Sequence, residues 1–210
     1  MQVLVIGAGN MGAGFVKQLS AAGHTVSVTA RDVAKATAVA SQYATVKAVP
    51  AAGAAGGQDV VILATGYGDA EAELQSVGSL QGKVVVDITN PLTPDYMGLT
   101  LGHSTSAAEE IAKTVPGALV VKAFNTVFAL VLAEGADFGG GQAVSVFVAS
   151  DSEPAKQTVT ALAQSMGFAT VDAGGLKNAR YLEPLAGLNI YLGYGAGLGT
   201  SIAPAWIKRA

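Results

Sequence analysis

The sequence predicts an α/β protein of Rossmann type, a doubly wound and mostly parallel sheet followed by a short C-terminal helical extension. Three observations carry that expectation. Short runs rich in aliphatic and β-branched residues recur at 3–6, 26–29, 46–49, 60–64, 84–88, 119–121, 144–148 and 169–171, the pattern of strands buried on both faces. Segments with helical apolar spacing alternate with them, and such alternation is how parallel strands are connected. The chain has 210 residues, half of them hydrophobic and only 13% charged, so one core is affordable and a large second domain is not. Residues 1–210 are therefore expected to form a single domain.

The first run ends at Gly7, and residues 10–22 then place Met11, Phe15, Val16 and Leu19 at helical spacing before Gly23 stops the helix. Asp32 is suited to cap a second helix over 33–43. The third strand stops at Pro50, and the Ala/Gly-rich residues 51–57 read as a poor helix or loop. Further helices are expected at 70–77, 107–114 and 153–166, the second introduced by Ser106 and Glu109 at capping-box spacing.

Composition excludes several classes of function. The net charge is -3 and no basic cluster occurs, so no nucleic-acid partner is expected. Cysteine is absent and there are only two histidines, His24 and His103, which removes thiolate nucleophiles and leaves no expected metal site. His24 precedes the second strand at the far edge of the sheet, and His103 lies beside a helix cap; structural roles are expected for both. Residues 184–207 carry no charge and are long enough to cross a bilayer. Asn189, Thr200, Ser201, Pro204 and repeated glycines weaken them as a lipid-facing helix, so no membrane contact is expected. Met1 and Gln2 run straight into the first strand without a basic leader, and a cytoplasmic location is expected.

Gly7-Ala8-Gly9-Asn10-Met11-Gly12 carries the G-x-G-x-x-G spacing between a strand and a helix. The first glycine permits a tight turn, the second lets a pyrophosphate approach the backbone, and the third lets helix and strand pack closely. The N–H groups of the first helical turn, around Asn10 and Met11, then face the diphosphate. An NAD-selective site normally ends its second strand with a carboxylate; here the residues are Thr29-Ala30-Arg31, with Lys35 one turn later. Arg31 suits bidentate pairing with a 2′-phosphate, and Lys35 adds a second cation, so NADP(H) is favoured. Two readings stay open: Arg31 as a solvated turn residue, and Asp32 turned inward to serve NAD.

With the fingerprint, Arg31, residues 84–91 and Lys122-Ala123-Phe124-Asn125-Thr126 in hand, the chain resembles the deazaflavin (coenzyme F420)-dependent NADP oxidoreductases. It is also similar to the cytosolic reductase domain of six-transmembrane metalloreductases. The similarity spans nearly the whole chain, including Asp172-Ala173-Gly174-Gly175-Leu176 and Ala179-Arg180. The resemblance implies an NADP(H) site whose nicotinamide end is lined by Thr65, Gly66 and Tyr67 after the fourth strand and by Phe124 and Asn125 after the sixth. Asn90 and Pro91, after the fifth, are further candidates. It implies coenzyme F420, FMN or FAD as co-substrate, and a segment 176–210 that closes the pocket and builds a homodimer.

Hydride exchange between a nicotinamide and a flat ring needs stacking and orientation rather than a protein acid or base. No catalytic side chain is therefore expected; the partner is a small-molecule hydride acceptor whose identity stays open. An imine or carbonyl reductase would need a proton donor, for which only Tyr67 or Lys122 is in place; the alternative for Lys122 is an anchor in a buried polar network. A non-catalytic NADP(H)-binding sensor is a third reading. In the tail, Gly193, Gly195, Gly197 and Gly199 allow close approach, and Leu188, Ile190, Leu192 and Leu198 favour burial against a second copy.

Overall fold

The computed structural model describes residues 1–206; positions 207–210 of the expected extension lie outside the described residues. Strand β1 (Gln2–Ile6) has no exposed surface from Val3 to Ile6. Val3 and Val5 join one core cluster, with Phe15, Val16 and Leu19, while Leu4 and Ile6 join the other, with Leu74 and Ile111. A strand whose alternate side chains meet helices on opposite faces has no polar face to show, which is why its sequence reads as a continuous apolar run.

Around β1 lie β2 (Thr25–Thr29), β3 (Val46–Ala48), β4 (Val60–Leu63), β5 (Val84–Asp87) and β6 (Leu119–Lys122), all parallel, in the order β3-β2-β1-β4-β5-β6. The chain reverses its direction of travel between β1 and β4, and crevices in open α/β sheets form at that switch. Ile6 is in register with Thr29 on one side and Leu63 on the other. Gly7, Ala30 and Ala64 therefore leave the sheet side by side. Strands β7 (Ser145–Val148) and β8 (Ala169–Asp172) form a parallel pair, joined to β6 by an antiparallel bridge between Lys122 and Ala149.

The helices are α1 (Asn10–Ala21), α2 (Val33–Ala40), α3 (Ala70–Ser76), α4 (Ala107–Thr114), α5 (Ala129–Glu134), α6 (Glu153–Ser165) and α7 (Ala179–Ile190). Asp32 caps α2 as expected, its carboxylate accepting from the N–H groups of Ala34 and Lys35. That helix ends three residues before the expected position 43, where Gln42 and Tyr43 donate to carbonyls three residues back and tighten the chain into a turn. The Ser106 capping box is half formed. Ser106 Oγ accepts from the Glu109 N–H, but the Glu109 carboxylate takes the Ser106 hydroxyl and the Arg180 guanidinium instead of returning to the backbone. Helix α5 is absent from the sequence expectation, because six residues are too few to show a period. Tertiary contacts hold it: Gly14 of α1 leaves room for Leu132, and Gln18 Nε2 donates to the Leu132 carbonyl at 2.9 Å. No helix among the described residues is long and apolar enough to cross a membrane.

One charged group lies at the centre of the C-terminal half. Lys122 has no exposed surface, and its Nζ lies 2.9 Å from Asp87 Oδ2 and 2.8 Å from Glu183 Oε1, while also donating to the Thr89 carbonyl. Glu183 in turn accepts from the N–H groups of Ala107 and Ala108 at the start of α4. Asp87 accepts from the Thr89 N–H at 2.8 Å. Two strand ends and two helices thus share one ion network, and the anchoring role weighed for Lys122 is the one the contacts describe. Removing the cation alone would strand two buried carboxylates. Lys122→Met is expected to lower unfolding free energy by about 3–5 kcal/mol in urea titrations, with partial recovery in Lys122→Met/Glu183→Gln; a loss below about 1 kcal/mol would count against a buried ion network.

A second lock ties α4 to α7. Arg180 Nε and Nη2 donate to both oxygens of Glu109 at 2.8 and 2.7 Å, and this guanidinium, with help from the Ser106 hydroxyl, holds the Glu109 carboxyl below the usual carboxylate range. A depressed carboxyl contributes stability above its ordinary value and loses it as pH falls through the depressed one. The acid limb of thermal stability, followed from pH 7 to pH 3, is expected to flatten in Arg180→Met. An unchanged limb would show that the pair carries no stability.

Candidate functional site

Beyond the C-terminal ends of β1, β2, β4, β5 and β6 lies a cleft of about 940 Å³, at the large end of the range for cofactor sites. Gly7, Gly9, Asn10 and Met11 line it from the first turn, and Ala30, Arg31 and Lys35 line its β2 side. Thr65, Gly66, Asn90, Phe124 and Asn125 line the opposite part. Gly12, Tyr67 and Pro91 do not border it.

The three fingerprint glycines divide their work as sterics require. Gly7 has φ +111°, and a Cβ there would fall 2.4 Å from the Ala64 carbonyl oxygen. A Cβ on Gly12 would fall 2.0 Å from the Gly7 carbonyl oxygen, so Gly12 acts beneath the turn rather than in the cleft. Gly9 is different: its Cβ would meet nothing within 4 Å. The missing side chain leaves space over the N-terminus of α1, which has no side-chain cap and no acidic residue in its first turn. An uncapped helix N-terminus beside open space is a cradle for phosphate oxygens.

At the β2 end, Arg31 does not stand free. Its Nη1 and Nη2 donate to the two oxygens of Asp69 at 3.1 and 2.8 Å, and its Nε lies 2.9 Å from Glu73 Oε1. Asp69 closes a 3-10 turn over Tyr67–Asp69, and Glu73 lies on α3. Lys35 makes no ion pair among the described residues. Asp32, the alternative NAD ligand, has one carboxylate oxygen committed to capping α2.

At the other end, two asparagines bridge the loops after β5 and β6. Asn90 Nδ2 donates to the Asn125 carbonyl at 2.9 Å, and Asn125 Nδ2 donates to Asn90 Oδ1 at 3.0 Å and to the Leu182 carbonyl at 2.8 Å. Phe124 adopts φ +59°, while its ring packs edge-on against Phe15 and Phe168. A left-handed aromatic residue costs about 1–2 kcal/mol, and such strain collects where a site needs a backbone held in place. The Oγ1 atoms of Thr89 and Thr126 and the Oδ1 of Asn125 are buried without a partner, and all three residues line the cleft. Water or a polar ligand group can partner such atoms.

Neither residue weighed as a proton donor is placed for it. Burial, reinforced by Glu110, Glu183 and Asp87, pushes the Tyr67 phenol above its usual range, and Tyr67 lies off the cleft. Lys122 is enclosed by its carboxylates. Asp95, which does border the cleft, is held below the usual carboxylate range by the Thr93 hydroxyl and the Met97 N–H. His24 contacts Ser165 and the N-terminal amine at the far edge, and burial lowers its imidazole below the usual value. His103 lies outside the cleft, beside Pro184.

Much of the cleft wall comes from residues to which the sequence assigned no such place. Leu92, Tyr96 and Met97 come from the loop after β5, and Ala186, Asn189, Ile190 and Tyr194 from α7 and the π turn that follows it. Spacings of three, four and eight from Ala186 put these last residues on one helical face, a signal present in the sequence but indistinguishable there from a core stripe. Of the tail glycines, Gly193 is the one that allows a close approach to the cleft wall: a Cβ there would lie 2.8 Å from Phe128 Cζ, whose ring stacks edge-on against Tyr194.

The model of the family described as coenzyme F420-dependent NADP oxidoreductase matches residues 2–91. The F420-dependent NADP reductase of Methanothermobacter marburgensis is 31% identical over 91% of this chain and 92% of its own length. A crystal structure from Arthrobacter sp. FB24, described as an F420-dependent NADP-reductase, superposes with a TM-score of 0.83 at 31% identity, covering 95% of this chain and 96% of that one. The metalloreductase STEAP3 of Rattus norvegicus is 39% identical over 50% of this chain, which spans only 20% of that protein's length. With agreement along nearly the whole length of the Methanothermobacter relative, the chain belongs to the family of coenzyme F420-dependent NADP oxidoreductases.

Proposed function

We propose that the cleft binds NADP(H) and passes hydride between its nicotinamide and a flat ring of the deazaflavin type, with FMN or FAD as the alternative acceptors. The observation that carries this reading is the open space over Gly9 at the uncapped start of α1, in one cleft that runs on to Asn90 and Asn125 and to the hydrophobic side chains of Leu92, Met97 and Ile190. The diphosphate would sit against the N–H groups of Asn10 and Met11, with Ala30, Arg31 and Lys35 around the adenosine. Thr65, Gly66, Asn90 and Asn125 would frame the nicotinamide, Asn125 Oδ1 being an acceptor free for a carboxamide. The cofactor supplies the hydride when bound. The protein's part is to orient it and to exclude water, through Leu92, Met97, Phe128, Ile190 and Tyr194.

An imine or carbonyl reductase is the second reading: that chemistry needs a proton at the substrate nitrogen or oxygen, and with Tyr67 and Lys122 away from the cleft it would fall to Tyr96 or Tyr194 of the wall. The reading extends to a cytoplasmic reductase working as a homodimer. In support, Tyr181, Leu188 and Tyr191 of α7 and its following turn are exposed at spacings that share one face.

Binding measurements test the cofactor assignment. Arg31→Ala is expected to weaken NADPH about tenfold or more, and NADH much less, because only NADPH carries the 2′-phosphate. Gly9→Val is expected to melt near the parent temperature yet lose both dinucleotides; equal loss of both in Arg31→Ala, or full binding in Gly9→Val, would overturn the assignment. Stopped-flow oxidation of NADPH against F420, FMN, FAD, ferric chelates and a cyclic imine tests the acceptor. Turnover with a deazaflavin or flavin is expected. Reduction of the imine alone would support the reductase alternative, and tight NADPH binding without turnover would support a sensor.

A further inference from the structure

The two carboxylates on Arg31 bear directly on how a phosphorylated ligand could reach it. A guanidinium has five N–H donors and presents paired donors along its edges. Asp69 occupies the Nη1/Nη2 edge with both of its oxygens, and Glu73 faces Nε. Little of the fork remains for the bidentate pairing through which arginine recognises phosphate. The local charge points the same way, since Arg31 and Lys35 share this end of the cleft with Asp32, Asp69 and Glu73. A dianionic phosphate would meet more negative than positive charge. For Arg31 to hold a 2′-phosphate, one of the carboxylates must give way.

The two differ in which can do so. The Asp69 side chain is 45% exposed and that of Glu73 only 7%. Asp69 released from Arg31 would be rehydrated at once, whereas Glu73 would be left as an uncompensated charge in a nearly dry position. Asp69 also makes no capping bond to α3, so its departure costs the helix no hydrogen bond. Both carboxylates sit on the segment that leaves β4, across the switch point from Arg31, so the pairing spans the cleft between the two sides.

Resting on the reading that NADP(H) binds in this cleft, we infer that Asp69 is a specificity-determining residue: it occupies Arg31 in place of the 2′-phosphate and is displaced by it, while Glu73 stays on Nε and keeps the guanidinium aimed. Discrimination between the two dinucleotides is then a competition between a carboxylate and a phosphate for one cation. NADH, with a 2′-hydroxyl, leaves the clasp closed; NADPH opens it. Asp69 lowers the affinity for the phosphorylated dinucleotide, and Glu73 raises it.

Isothermal titration of NADPH, NADH and 2′,5′-ADP against the full chain separates these effects, the last probe carrying the phosphate without a nicotinamide. Asp69→Asn and Asp69→Ala are expected to tighten NADPH and 2′,5′-ADP about two- to fivefold, the factor an exposed ion pair commonly carries, and to leave NADH unchanged. Glu73→Gln is expected to weaken NADPH and 2′,5′-ADP. In an Arg31→Ala background, Asp69→Asn should have no effect on any of the three, since the cation being contested is gone. Unchanged or weaker NADPH binding in both Asp69 variants, or equal tightening of NADH, would overturn the inference where Arg31→Ala alone still weakens NADPH selectively. If Arg31→Ala shows no such selectivity, the cofactor reading itself fails and the inference falls with it.

Discussion

The C-terminal half of the protein depends on the buried Lys122 ammonium. An isolated buried charge is costly, and two carboxylates close by convert that cost into a geometric requirement. Asp87 and Lys122 sit abreast in register at the ends of β5 and β6, so the strand ends cannot slide without separating the charges. Glu183 brings α7 to the same point, and its carboxylate satisfies the first N–H groups of α4. The residues that leave these strands, Thr89 and Asn90 on one side and Phe124 and Asn125 on the other, inherit their positions from that network. They also form one end of the cleft.

The opposite end is built by a different constraint. Around Gly7 and Gly12 there is no room for a side chain, so β1, the turn and α1 approach as closely as backbone allows. Over Gly9 there is room and nothing fills it. Steric exclusion shapes the end at the glycine turn, and ion pairing shapes the end at Asn90 and Asn125. Helix α7 and its π turn span the gap between them, with Asn189 Nδ2 donating to the Thr126 carbonyl at 3.0 Å and Tyr194 stacked on Phe128.

Legibility in the sequence followed the range of the interaction. The strand runs, the Asp32 cap and the helix at 107–114 depend on neighbours a few residues away, and each stands where local chemistry put it. Helix α5 depends on Gly14 and Gln18, far away in sequence, and a six-residue segment carries no period of its own. The capping box shows the same limit: Ser106 behaved as its spacing implied, but Glu109 was claimed by Arg180 from α7. Tyr67 lay at the right strand end yet turned away from the cleft, since position along the chain does not settle where a side chain points. Leu92 and Met97 carried no local mark of a place in the cleft wall.

From the sequence alone came the doubly wound class, the glycine turn and the presence of Arg31 and Lys35 beside it, because periodicity, turn sterics and residue charge are local properties. Tertiary structure alone decided that Arg31 is held by Asp69 and Glu73, that Lys122 is an anchor rather than a proton donor, and that α7 faces the cleft. Those outcomes rest on charges brought together across 35 to 61 residues of chain, and no local pattern records which distant carboxylate a cation will meet.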